Sequence, residues 1–229
     1  MKYAIGLLLA VSGCGLISSD VTDFDLTLPD KSFSIDASNW MIDQSTADTY
    51  TEMSCESAPT VCATAAQTAC PMNCVGSCDG DTHTCDLTLA VSLYQPVDLY
   101  HEKPELQTIN SEPIIKVTID SVTYDVTGNT LSVDTPPLVM YVSPMAIMDP
   151  SDPQAIEIAT IAPITAGQTV AEMPIAFTDA GKAALVNIMG TFKTPFNVLV
   201  GSSITVKAGD PVPTGKLDAV VHIKAHASL

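Results

Sequence analysis

Residues 115–142 read IKVTIDSVTYDVTGNTLSVDTPPLVMYV. Apolar side chains recur here with a period of two: Ile115, Val117 and Ile119, then Val122, Tyr124 and Val126, then Leu131 and Val133, and finally the run from 138 to 142. Successive side chains leave a strand on opposite sides, so this period marks strands with one buried and one wet face. Gly128-Asn129 supplies turn chemistry, and Pro136-Pro137 separates the last run from those before it. Outward from this stretch, β-forming runs recur at 87–99, 155–161, 169–177, 197–206 and 217–227. Near the amino-terminus Phe24, Leu26 and Leu28 alternate with polar residues, Pro29-Asp30-Lys31 reads as a turn, and Phe33 and Ile35 complete a hairpin. Short strands with regular turn signals predict a mainly β fold, an antiparallel immunoglobulin-like β-sandwich.

One segment departs from the strand pattern. Residues 179–189 carry helix formers, with Thr178 or Asp179 as N-cap and Gly190 where a terminal glycine belongs, so one short helix is expected. Its apolar character, through Ala183, Ala184, Leu185, Val186, Ile188 and Met189, predicts burial against a sheet. The loop 209–215, with Pro211 and Pro213, reads as a rigid turn between the final two strands.

The chain has 229 residues, with 26 acidic side chains against nine lysines, no arginine, and a formal charge of −17. Phosphate-backbone binding requires clustered cations, and bidentate recognition of phosphate or guanine requires arginine, so the composition disfavours a nucleic-acid partner. Such an acidic surface also repels anionic membranes and favours solubility outside the cell.

Residues 1–13 have the layout of a signal peptide: Met1-Lys2 as the positive start, then an apolar run from 4 to 11. The run is too short to span a bilayer, which takes about 20 apolar residues. Val11-Ser12-Gly13-Cys14 resembles the lipobox of bacterial lipoproteins. That resemblance covers the first fourteen residues. It implies cleavage before Cys14, diacylglycerol on the Cys14 thiol and an acyl chain such as palmitate on the new amine, which together make a stable anchor. Gly15 stands where the family's inner-membrane retention signal usually places Asp, so sorting to the outer membrane is expected over the inner. Residues 14–21 form the lipid anchor and short connector, and 22–229 form the β-sandwich domain.

Six further cysteines, Cys55, Cys62, Cys70, Cys74, Cys78 and Cys85, fall within residues 55–85. An even, clustered set in an exported chain reads as disulfides, here three, with 15 possible pairings that spacing leaves open. A metal site is disfavoured because Pro71 and Gly76 interrupt any helix that would converge Cys70, Cys74 and Cys78. A redox CxxC is absent. The segment is poor in large apolar residues and therefore needs stapling, as a small disulfide-rich insertion between the N-terminal hairpin and the main sheets. Asp79, Asp81 and Asp86 around Gly80 lack the ligand ladder of a calcium loop and read as a solvated turn.

The residues offer little chemistry, and no cofactor or metal is expected. His222 and His226 have the spacing of HExxH, but on a strand they stand about 13 Å apart at ~3.3 Å per residue, too far for one zinc. Together with Lys224 they read as a wet face, with Val221, Ile223 and Ala225 inward. His83 falls in the cysteine module, and His101 opens a polar loop. Nucleophile elbows and phosphate-cradling glycine loops are absent from the sequence, and Gly201-Ser202-Ser203 reads as a strand break. Asp30, Asp36, Asp120, Asp125 and Asp134 read as turns and exposed strand faces.

The later half of the chain is loosely similar, in strand pattern only, to the β-sandwiches of late-embryogenesis-abundant proteins and related lipoproteins of unknown function. The resemblance assigns no site. The expected function is a non-enzymatic binding or assembly module of the bacterial cell envelope, held near the membrane by lipid on Cys14 and acting on an envelope protein partner. The alternatives are an envelope hydrolase on glycan or ester substrates, a surface adhesin, or a carrier of small apolar ligands.

Overall fold

A computed structural model of the chain describes residues 23–107 and 115–228. In chain order these residues form β1 (Asp23–Asp25), β2 (Lys31–Asp36), a 3-10 turn (Ala37–Trp40), α1 (Gln44–Thr51), α2 (Val61–Ala69), β3 (Cys74–Cys78) and β4 (Cys85–Val97). Then come α3 (Leu99–Glu102), α4 (Pro104–Gln107), β5 (Lys116–Asn129), β6 (Leu138–Pro144), β7 (Ile156–Ile161), β8 (Val170–Pro174) and β9 (Ala176–Phe177). The chain closes with α5 (Asp179–Gly190), β10 (Phe196–Val206) and β11 (Lys216–Ser228).

The fold is mainly β, and its two sheets are antiparallel throughout, as the alternation predicts. In the first, β1 and β2 lie one after the other along β11, followed by β5 and β8; the second runs β3-β4-β10-β6-β7-β9. The buried residues of both sheets form one continuous core. Between the sheets a void of about 20 Å³ remains, lined by residues such as Phe33, Leu93, Tyr124, Val200 and Val221. That space holds a single water at most, so the core is filled.

Three strand expectations are corrected. The N-terminal hairpin is in fact one broken rail. β1 and β2 both pair with β11, and between them Leu26 N–H and Leu28 N–H donate to Ala225 O and Ile223 O at 2.9 Å. Pro29-Asp30 interrupts that rail without reversing it, and inward parity slips from Leu26 and Leu28 to Lys31, Phe33 and Ile35. Residues 131–133 form no strand. Asn129 Oδ1 accepts the Leu131 N–H, and Thr130 and Ser132 bond back to Lys216 O and Thr214 O, so the chain follows the β10–β11 connection as a loop. Gly201-Ser202-Ser203 is no strand break, since β10 passes through it in register with β4.

The single helix expected at 179–189 is α5, and of the two N-cap candidates Thr178 serves, its Oγ1 accepting Gly181 N–H at 2.9 Å. Four further helices accompany it among the described residues. α1 and α2 bury only Ala47, Tyr50 and Thr51, and Cys62 and Ala66, so neither carries the broad apolar stripe that betrays a helix in sequence. α5 lies directly on β7: a Cβ on Gly181 would come within 2.5 Å of Ile158 Cα.

Pairing registers orient the sandwich. Asp23 and Lys116 both face Ser228, and Ile115 N–H donates to Gly190 O, so the chain enters at the end that holds the close of α5. At the opposite end Asp36 faces Lys216 and Leu87 faces Val206. β11 has thirteen residues and separates the two ends by about 40 Å at ~3.3 Å per residue.

Candidate functional site

The six clustered cysteines are joined as Cys55–Cys78, Cys62–Cys85 and Cys70–Cys74. Their segment lies at the end of the sandwich away from chain entry. This disulfide-rich insertion is built into the sandwich: β3 forms the edge of the second sheet against β4, and α2 packs on β3. Gly76 of β3 has Tyr50 and the Cys62 backbone directly above it, leaving no room for a side chain. The Tyr50 hydroxyl donates to Cys62 O at 3.0 Å, and burial pushes its pKa up to about 12. Trp40 Nε1 donates to Ala90 O at 2.9 Å and ties the 3-10 turn to the same sheet.

Around the Cys70–Cys74 bridge the surface becomes apolar. Met41, Met72 and Val75 are each more than half exposed. Met41 and Asn73 hold positive φ of 51° and 59°, a region that residues other than glycine occupy sparingly. Beside them a groove of about 770 Å³ opens on the outer face of the second sheet. Ala90, Ser92, Gly201 and Ser203 lie along it, with Val75 on one side and Tyr141 and Pro150 on the other. Gly201 is required there, because Pro150 Cβ lies 2.7 Å from where its Cβ would be. Asp149 is the carboxylate of this groove, and its Oδ1 already accepts Ser151 N–H and Oγ–H at 2.8 and 2.9 Å.

The acidic turn beside the cysteines is closed on itself. Lys207 donates to Asp79 at 2.8 Å and stands 3.4 Å from Asp86, while Asp81 and Thr82 N–H donate to Asp79 Oδ1. The Lys207 ammonium first, then these amides, hold the Asp79 carboxyl well below the usual carboxylate range. Asp79 is thus engaged as a turn residue.

The histidines are dispersed. His83 lies in the β3–β4 turn with a φ of 57°, and His101 on α3 contacts Asp98 at 2.7 Å. His222, Lys224 and His226 share the wet face of β11, with Val221, Ile223 and Ala225 buried beneath. His222 meets Asp30 and Asp125, and His226 meets Asp120 at 2.9 Å. The contact with Asp30 spans 192 residues, a distance over which sequence spacing carries no signal. Asp36 caps the 3-10 turn, and Asp134 accepts Ala166 N–H at 2.8 Å. Among the described residues no three His, Cys, Asp or Glu side chains are grouped to hold a metal ion, and no helix is long and apolar enough to cross a membrane. Cys14, the signal segment and the connector lie outside the described residues.

No protein-family model matches the sequence, and no curated protein or solved structure matches it.

Proposed function

We propose that the chain is an exported lipoprotein of the bacterial cell envelope, anchored through Cys14 in the outer membrane, and that it acts as a non-enzymatic binding or assembly module. The observation that supports this reading is polarity. The chain joins the sandwich at one end, whereas the disulfide-stapled surface with Met41, Met72 and Val75 lies towards the other, and the groove runs from it to mid-sheet. Nine residues lead from Cys14 to Asp23 and reach at most about 32 Å at ~3.6 Å each. A lipid on Cys14 therefore keeps the entry end near the bilayer and turns the stapled end towards a partner. The three bridges agree with an oxidising compartment. The alternatives fare less well: a filled core leaves no space for an apolar ligand, and the groove holds one carboxylate where glycosidic hydrolysis uses two.

A photo-crosslinking residue placed at Met72 and, separately, at Lys116 tests this in intact cells. A discrete protein adduct from Met72, at the stapled end, and none from Lys116, at the entry end, is the expected result. Adducts from neither position, or from Lys116 alone, contradict it.

A further inference from the structure

His222 holds both ring nitrogens against carboxylates. Nδ1 lies 2.6 Å from Asp30 Oδ1, and Nε2 lies 3.2 Å from Asp125 Oδ2. Asp30 belongs to the link between β1 and β2, and Asp125 to β5, so the ring bridges elements on both sides of its own strand. Asp125 is itself fixed, because its Oδ1 accepts the backbone N–H of Glu172 on β8 at 2.6 Å. A neutral imidazole has one N–H and one lone pair, so it satisfies one of these carboxylates and turns a bare nitrogen on the other. The imidazolium has two N–H donors and satisfies both. We propose that His222 is a pH-sensitive clasp, which when charged fastens the first strand of the fold to the sheet and when neutral loosens it.

The fastened segment is the rail from β1 to Asp30. Its hold on β11 includes the Leu26 and Leu28 amide bonds, and it lies at the sheet's edge. The surrounding charges favour the closed form. Besides Asp30 and Asp125, the acids nearby are Glu172 on β8, Asp120 on β5 and Asp25 on β1, which pairs in register with His226. Lys224, two residues along β11, is the opposing cation, and His226 is the other histidine of that wet face.

Hydrogen bonding to Asp30, aided by Asp125, raises the His222 pKa against the effect of burial. A raised histidine pKa contributes stability that is fully present below the unfolded value, about 6.5, and is lost as pH rises through the folded value. Asp125 works in the other direction: the Glu172 N–H, then His222, lower its pKa, so its contribution is lost only as pH falls through that depressed value. The clasp is therefore closed at mildly acid pH and opens on the alkaline side.

Titration of the full chain by NMR, with amide exchange at Leu26 and Leu28 corrected for intrinsic rate, tests the clasp. The expected His222 midpoint lies above ~6.5. From there to that midpoint, protection of both amides falls by up to about tenfold per pH unit. Asp30→Asn, at an exposed link, lowers the midpoint and flattens the fall. A midpoint at or below ~6.5, or an unchanged fall in Asp30→Asn, overturns the proposal.

Discussion

Replacing Cys62 and Cys85 together by alanine is expected to destabilise the protein by about 3.4 kcal/mol, against about 1.9 kcal/mol for the Cys70 and Cys74 pair. The difference follows from loop length. The first bridge closes a separation of 23 residues and the second a separation of 4, and the entropy removed from the unfolded chain grows with the logarithm of that length. Packing widens the gap, because Cys62 and Cys85 are both fully buried and their loss leaves space between α2 and the start of β4. Cys55–Cys78 has the same separation as Cys62–Cys85 and an overlapping loop, so removing both should cost less than the sum. Thermal unfolding of the two double variants decides the order. Equal midpoints, or a lower midpoint for the Cys70 and Cys74 variant, would show that the stapled segment is held by something other than its long bridges.

Lys31→Met is expected to cost about 3 kcal/mol, as for other broken buried ion pairs. Lys31 Nζ donates to Glu102 Oε1 at 2.8 Å and to Pro96 O at 3.1 Å, and the two side chains are only 10% and 23% exposed. Methionine keeps the stem and removes the ammonium, so Glu102 loses its cation while its Oε2 is already buried without a hydrogen bond. Adding Glu102→Leu removes the stranded charge and should recover most of the loss, less the weak bond at 3.3 Å from Asp98 N–H. Urea unfolding of wild type, single and double variants measures both effects. A single variant within ~0.5 kcal/mol of wild type, or a double variant no more stable than the single, contradicts this.

Lys31 also shows where sequence reading stopped. In Pro29-Asp30-Lys31 a lysine beside a proline and an aspartate reads as turn chemistry. The side chain is buried because the rail continues past the proline and shifts parity, which places Lys31 on the same side as Phe33 and Ile35. The strands themselves were legible because one face of each sheet is buried and burial writes itself as alternation. In β5 the switch from Val117 and Ile119 to Val122, Tyr124 and Val126 corresponds to a real bulge beside Lys224 and Ala225. α1 and α2 were illegible because bridges and one tyrosine hold them where a broad apolar face usually would. The cysteine cluster could be read as disulfides from compartment and count, but its pairing depends on how β3 docks onto β4, which spacing does not encode. The His222 contacts depend on sheet order and were beyond local reading for the same reason.

Mass spectrometry of the amino-terminal peptide from the native membrane fraction is the most direct measurement of lipid anchorage. A mature chain beginning at Cys14, with a diacylglyceryl thioether and an acylated amine, is expected. A chain that begins elsewhere, or that carries Cys14 as a free thiol, contradicts lipid anchorage and the near-membrane display built on it.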